Sequence, residues 1–150
     1  MFDALLNFLF PPRCPNCSSY VERRGGFCHA CARRLIGVRV LARTPETARQ
    51  LAGIWTLGHY REGVRDLLRA LKYQQKKSAL PHLHAMLAEG EEVLAQLPRP
   101  LTAVAVPLGH ARQKARGFNQ TEEIFASWLR AHDIALLPLL VRTRETAPLY

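Results

Sequence analysis

The chain has 150 residues, 48% of them hydrophobic and 22% charged, a composition that excludes disorder over its whole length. Its 21 Lys and Arg against 12 Asp and Glu give a net charge of +9, which suits an anionic partner without choosing among nucleic acid, a phosphorylated small molecule and an acidic surface. No apolar run approaches the ~20 residues of a membrane span, and four cysteines are too few for a disulfide-dense secreted scaffold.

Residues 1–10 (MFDALLNFLF) lack a basic leader, contain Asp3 and run into Pro-Pro-Arg. They read as a short amphipathic helix rather than an export signal, so the cytoplasm is the expected compartment. Paired cysteines there are more often metal ligands than disulfides. Cys14, Cys17, Cys28 and Cys31 follow the pattern C-x2-C-x10-C-x2-C. Each C-x2-C turn presents two thiolates to one ion, and two turns complete a tetrahedral, closed, structural Zn²⁺ site. Arg24-Gly25-Gly26 permits the reversal that returns the second pair beside the first. Four thiolates on one Zn²⁺ leave a charge of about −2, which Arg13, Arg23, Arg24, Arg33 and Arg34 are placed to offset. Buried free cysteines or two disulfides are the other readings of the same spacing.

The sequence divides into 1–36 (helix and zinc ribbon), 37–53 (a weakly patterned connector) and 54–150 (periodic helices and strands). Residues 54–59 have strand character. Val64, Leu67, Leu68 and Leu71 predict a helix over 61–73. On another part of it Arg61, Arg65, Arg69 and Lys72 form a basic stripe that Lys76 and Lys77 continue. Arg65, Arg69, Lys72, Lys76 and Lys77 are candidates to track a nucleic-acid backbone, with Tyr60 and Tyr73 placed to stack bases; a solvated helix face is the plainer reading. A second helix is expected over 80–96, weakened at Gly90. Residues 101–106 (LTAVAV) predict a strand buried on both faces, residues 119–132 a third helix with Ile124, Phe125, Trp128 and Leu129 inward, and residues 134–141 another strand. This order suggests the opening of an α/β sheet. Trp55 and Trp128 fit core positions. His82 and His84, two residues apart, share no helix face and have no third ligand in view.

Between the buried strand and the third helix a loop carries Arg112, Lys114, Arg116 and Gly117. Ligands of open α/β sheets bind where strand ends meet helix N-termini, and backbone N–H groups with arginines hold phosphates there. These residue types indicate a phosphate or pyrophosphate site; a solvated basic loop, with Asn119 merely capping the next helix, fits them as well.

Four stretches, LFPPRCPNC with its second cysteine pair, HYREGVRDLLRALKY (59–73), VPLGHARQKARGFNQTEEIFASWL (106–129) and VRTRETAPL (141–149), resemble the ComF family of phosphoribosyltransferase-like proteins in composition and order. The resemblance implies an N-terminal zinc ribbon followed by a type I phosphoribosyltransferase-like α/β domain with a parallel sheet. Some relatives are linked to DNA uptake in competence, which implies single-stranded DNA or a DNA-uptake protein as partner. In a complete relative Arg112, Lys114, Arg116 and Gly117 would hold the phosphates of phosphoribosyl pyrophosphate with Mg²⁺, and Asn119 and Gln120 would orient the loop or substrate. The family's Asp-Asp-x-x-Thr-Thr-Gly loop is not in this chain: Glu91-Glu92 and Glu122-Glu123 precede no Thr-Thr-Gly and read as helix surface. The expectation is therefore a C-terminally truncated transferase scaffold, inactive alone, with an incomplete sheet edge open to self-association. A non-enzymatic zinc-ribbon module binding nucleic acid or protein is the competing expectation.

Overall fold

The structure, a computed structural model, describes residues 7 and 9–144. The expected N-terminal helix and the end of the 141–149 motif fall largely outside these residues. From the cysteine-rich segment the chain enters α1 (His29–Leu35), where Cys31 and Leu35, four apart and so on one face, are both buried. Arg33 and Arg34 in its last turn complement the helix dipole. β1 (Ile36–Val40) pairs antiparallel with β2 (Trp55–Gly58), Ile36 opposite Gly58 and Val40 opposite Trp55. The ladder is irregular between Ile36 and Arg39, where Gly37 adopts φ +143°. Thr44 starts α2 (Pro45–Gln50): its hydroxyl accepts the Thr47 N–H at 3.2 Å, and Pro45 fits the first turn. The stretch read as a connector thus holds a strand and a helix. IGVRV has no clean alternation because its first three residues are half-buried and its last two exposed.

α3 (Glu62–Gln74) buries the predicted face through Val64 and Leu71. It ends at Gln75, whose left-handed backbone (φ 53°) lets Lys76 N–H bond Ala70 O at 3.1 Å. A 3₁₀ turn (Lys77–Ala79) follows. The expected long helix breaks, near the expected place, into α4 (Leu80–Met86), a 3₁₀ turn (Leu87–Gly90) and α5 (Glu91–Gln96). A Cβ at Gly90 would sit 3.4 Å from Leu57 and 3.5 Å from Trp128, so both side chains pack directly on its backbone.

The last third carries three corrections. The 101–106 run contributes only β3 (Thr102–Ala103), and its burial alternates, with Val104 and Val106 exposed; one face is covered, not two. The basic stretch expected as a loop forms α6 (His110–Arg116), because HARQKAR is made largely of good helix formers. Gly117 (φ +79°) then serves as its left-handed C-cap and has no atom within 4 Å of an added Cβ, so no close backbone approach occurs there. α7 (Gln120–Ala131) matches the third helix, with Ile124 and Leu129 buried. Of the strand expected over 134–141 only β4 (Ala135–Leu136) forms, parallel to β3, with one further bond from Leu137 N–H to Ala103 O at 2.9 Å. Beyond it Leu137, Leu139, Leu140 and Val141 are exposed. Trp55 also departs from its core expectation, at 37% exposure. The fold is thus mixed helix and strand, with a small parallel sheet of two strands.

One core cluster joins the ribbon to the rest, uniting Cys14, Val21, Cys31 and Leu35 with Val64 and Leu71 of α3, Leu83 and Met86 of α4 and Ile124 of α7. A smaller cluster of Leu94, Leu129 and Ile134 backs the parallel strands. On the ribbon side of α4, His82 meets Phe27 edge-on at 6.2 Å, and its buried Nδ1 has no partner among the described residues. Burial lowers the His82 pKa, with the backbone of Gly25 and Gly26 opposing. The native ring stays neutral where the unfolded chain takes up a proton, near pH ~6.5. Its contribution is complete above that pH and is lost as pH falls below it. With zinc saturating, the wild-type Tm should fall relative to that of His82→Leu between about pH 7.5 and about pH 5.5. A Tm difference that stays constant over this range would contradict the assignment.

Candidate metal centre and basic cleft

The two cysteine pairs are brought together by local backbone chemistry. In the first knuckle Cys14 N–H bonds Ser19 O at 2.8 Å and Ser18 N–H bonds Cys14 O at 2.9 Å, with Ser18 at φ 61°. An antiparallel bridge of Arg13 with Tyr20 and a 3.0 Å bond from Val21 N–H to Pro12 O close the loop. The return is made at Gly25 (φ +87°) and Gly26, whose N–H bonds Arg23 O at 3.0 Å, as the Arg-Gly-Gly sequence predicts. Cys28 and Cys31 then ride on the start of α1.

All four sulfurs lie within 4.8 Å of one another, Cys17 Sγ and Cys28 Sγ at 3.5 Å, and all four residues are free thiols rather than disulfides. Four bonds of ~2.3 Å to a tetrahedral Zn²⁺ require sulfur separations of ~3.8 Å, so the cluster fits the ion with small adjustment. Cys14 and Cys31 face the core while Cys17 faces solvent. Four thiolates complete the shell, leaving no position for a reacting water; the centre is structural in type. The Ser19 hydroxyl and N–H, with Cys28, lower the Cys17 pKa to about 6. Burial pushes Cys31 up to about 12 against the Asn16 amide. At Cys14 burial raises the pKa, but the backbone at Cys28, Asn16 and Cys17 outweighs it and the net direction is down.

Arginines expected to offset the charge of the cluster make hydrogen bonds to other groups. Arg13 donates to Ser18 O (3.0 Å), Arg24 to Asn7 Oδ1 (2.8 Å) and Phe10 O (3.1 Å), and Arg34 to Glu62 (2.5 Å). Asn16 Nδ2 donates to Cys31 Sγ at 3.2 Å, and Ser19 Oγ lies 3.3 Å from Cys17 Sγ. Nothing in the sequence singles out Asn16, because its second partner, Gly63, lies 47 residues away.

The basic candidates separate into groups. Lys72, Tyr73 and Gln75 at the end of α3 face Arg112, Ala115 and Arg116 of α6 across a cavity of about 240 Å³. Gln75 Nε2 donates to Ala115 O at 3.2 Å and ties the two helices. Arg116 donates to Gln120 Oε1. Burial lowers its pKa, Tyr73 opposing and Arg112 adding to the shift; a guanidinium remains charged regardless. Lys114 is exposed and lines none of this cleft. In the stripe, Arg65 pairs with Asp66 (3.1 Å), and Lys77 pairs with Glu123 (2.9 Å) while lying 5.1 Å over the Phe118 ring. Arg69 and Lys76 are exposed.

Gly117 and Asn119 lie instead on a second cavity of about 580 Å³ that also contains Glu122 and Glu123. Asn119, only 5% exposed, acts as the cap of α7: Oδ1 accepts Thr121 N–H at 3.0 Å, and Nδ2 donates to Val106 O (3.3 Å) and Glu122 (3.1 Å). Of the six residues expected around phosphate, Arg112 and Arg116 therefore share one cleft with Lys72 and the others do not.

Among the described residues no helix is long and apolar enough to cross a membrane, and no second cluster of metal-ligating side chains accompanies the four cysteines. No curated protein and no solved structure matches the chain. Residues 5–40 match the family of double zinc ribbon domains, so the N-terminal segment is a zinc ribbon whose four cysteines are clustered for one zinc ion.

Proposed function

We propose that this chain is a zinc-ribbon module that binds single-stranded nucleic acid, with the α3–α6 cleft as the main contact for its backbone. The observation that carries the reading is the convergence of Lys72, Arg112 and Arg116 around Tyr73, a residue 50% exposed, on a chain of net charge +9. Guanidinium groups suit phosphate oxygens, and an exposed tyrosine offers a face on which any base can stack. The ribbon supports the same class, since such domains serve nucleic-acid or protein binding. Fluorescence anisotropy with a labelled oligo-dT strand across a salt series tests it. The triple variant Lys72→Ala/Arg112→Ala/Arg116→Ala should bind at least about tenfold more weakly, with a log–log salt slope shallower by about 0.7 for each phosphate no longer neutralised. Arg65→Ala should bind as the wild type does. Unchanged affinity in the triple variant would remove the cleft from the proposal.

A second reading follows the ComF resemblance: a phosphoribosyltransferase-like scaffold, associated with DNA uptake, that grips a phosphorylated sugar with Mg²⁺. It is favoured by the parallel pairing of β3 with β4 and by the Asn119 link from Val106, beyond β3, to the start of α7. Glu122, bonded to the Asn119 amide, weighs against a phosphate there, while Glu123 is paired with Lys77 and Arg130 lines the same cavity. Titration calorimetry with phosphoribosyl pyrophosphate and Mg²⁺ decides: absence of heat at millimolar ligand rejects this reading for the chain alone.

A further inference from the structure

The start of α3 lacks a cap of its own. Arg61, at the N-cap position, makes no side-chain cap bond, and the next residue, Glu62, holds a left-handed φ of 47° that is unfavourable for a side chain of its kind. Three contacts from the ribbon and α1 fix this start. Asn16 Oδ1 accepts the Gly63 N–H at 2.9 Å, Arg34 grips Glu62 at 2.5 Å, and Arg34 O accepts from the Arg61 side chain at 3.3 Å. Gly63 packs so tightly that an added Cβ would lie 2.9 Å from Asn16 Cβ and 3.0 Å from its Cα. The other end of the same Asn16 amide donates to Cys31 Sγ.

We propose that Asn16 is a positioning residue that couples the zinc centre to the capping of α3. One planar amide serves both groups. Its Nδ2–H donates to a sulfur that becomes a fixed, charged acceptor when metal is bound, and its Oδ1 satisfies a backbone N–H that α3 cannot satisfy from its own sequence. Fixing either end fixes the other, so metal loading stabilises the start of the helix that carries Lys72 and Tyr73 at its far end. By linkage, disturbing that helix start weakens the metal. The coupling does not depend on which ligand the cleft takes.

The test uses the full chain in its zinc-loaded form. In Asn16→Ala the amides of residues 63–67 should exchange about five- to tenfold faster than in wild type, with α7 amides unchanged. Gly63→Ala alters no ribbon residue, yet it displaces Asn16 and should weaken zinc binding about 10–100-fold in chelator competition. Wild-type exchange in the first variant, or wild-type zinc affinity in the second, overturns the proposal. If Gly63→Ala does not fold, Asn16→Asp decides: its carboxylate can accept from Gly63 but cannot donate to Cys31. Residues 63–67 should then stay protected while zinc affinity falls and the thiolate-to-cobalt band of the Co²⁺-substituted chain moves to longer wavelength. An unshifted band with wild-type affinity overturns it.

Discussion

Cys31→Ser is expected to abolish stoichiometric metal and unfold the ribbon. Structural Zn²⁺ in peptides of this kind binds with an apparent free energy of about 10–16 kcal/mol, most of which appears as folding free energy. The ribbon has little else to hold it. Among its described residues the buried side chains are Pro12, Cys14, Val21, Cys31 and Leu35, two of them ligands. Serine is isosteric with cysteine, but its hydroxyl is a poor zinc ligand at neutral pH, so three thiolates remain where four are needed. Elemental analysis should give one zinc per wild-type chain and almost none in the variant, with amide protection lost over residues 12–35. A full equivalent of zinc in Cys31→Ser would end the four-cysteine assignment.

The second large effect is expected at Leu35. It is 0% exposed and sits where ribbon, α3 and α4 meet in one core cluster. The surroundings cannot collapse into the space left by truncation. Leu35 O accepts His59 N–H at 2.8 Å, and a Cβ on Gly58 would lie 2.9 Å from that same oxygen, so β2 is already at closest approach. Leu35→Ala should therefore cost about 2–5 kcal/mol, a fall in Tm of about 5–15 °C for a chain of this size. Val141→Ala, at 83% exposure, should stay within about 0.5 kcal/mol of wild type. Thermal melts of the two side by side check both. A Leu35→Ala melt within a degree or two of wild type would mean the ribbon is not part of the core.

What the sequence discloses is what depends on near neighbours. The C-x2-C spacing carries its own chemistry, because each pair reaches one ion within a single turn. α3 and α7 are legible from the 3.6-residue recurrence of Leu, Val and Ile, and Gly90 marks the break in the 80–96 helix. What escapes depends on distant partners. β1 acquires its strand character from β2, and the parallel pair is short because β3 and β4 each find a single neighbour over two residues. His110–Arg116 reads as a loop because its cations draw attention to ligand chemistry, although Ala, Arg, Gln and Lys favour a helix. Of the arginines near the cysteines, Arg34 is engaged by Glu62, a partner 28 residues away that the sequence does not disclose. The union of Lys72 with Arg112 and Arg116 joins two motifs the sequence presents as separate sites.

The pairing of β1 with β2 has a consequence for anyone dissecting the molecule. The family match stops at residue 40, the last residue of a strand whose hydrogen-bonding neighbour is Trp55–Gly58. Scissors placed at that border would leave a raw edge on both pieces, and each would be prone to zip onto copies of itself. A graft of this ribbon into another host should therefore travel with its sequence through Gly58.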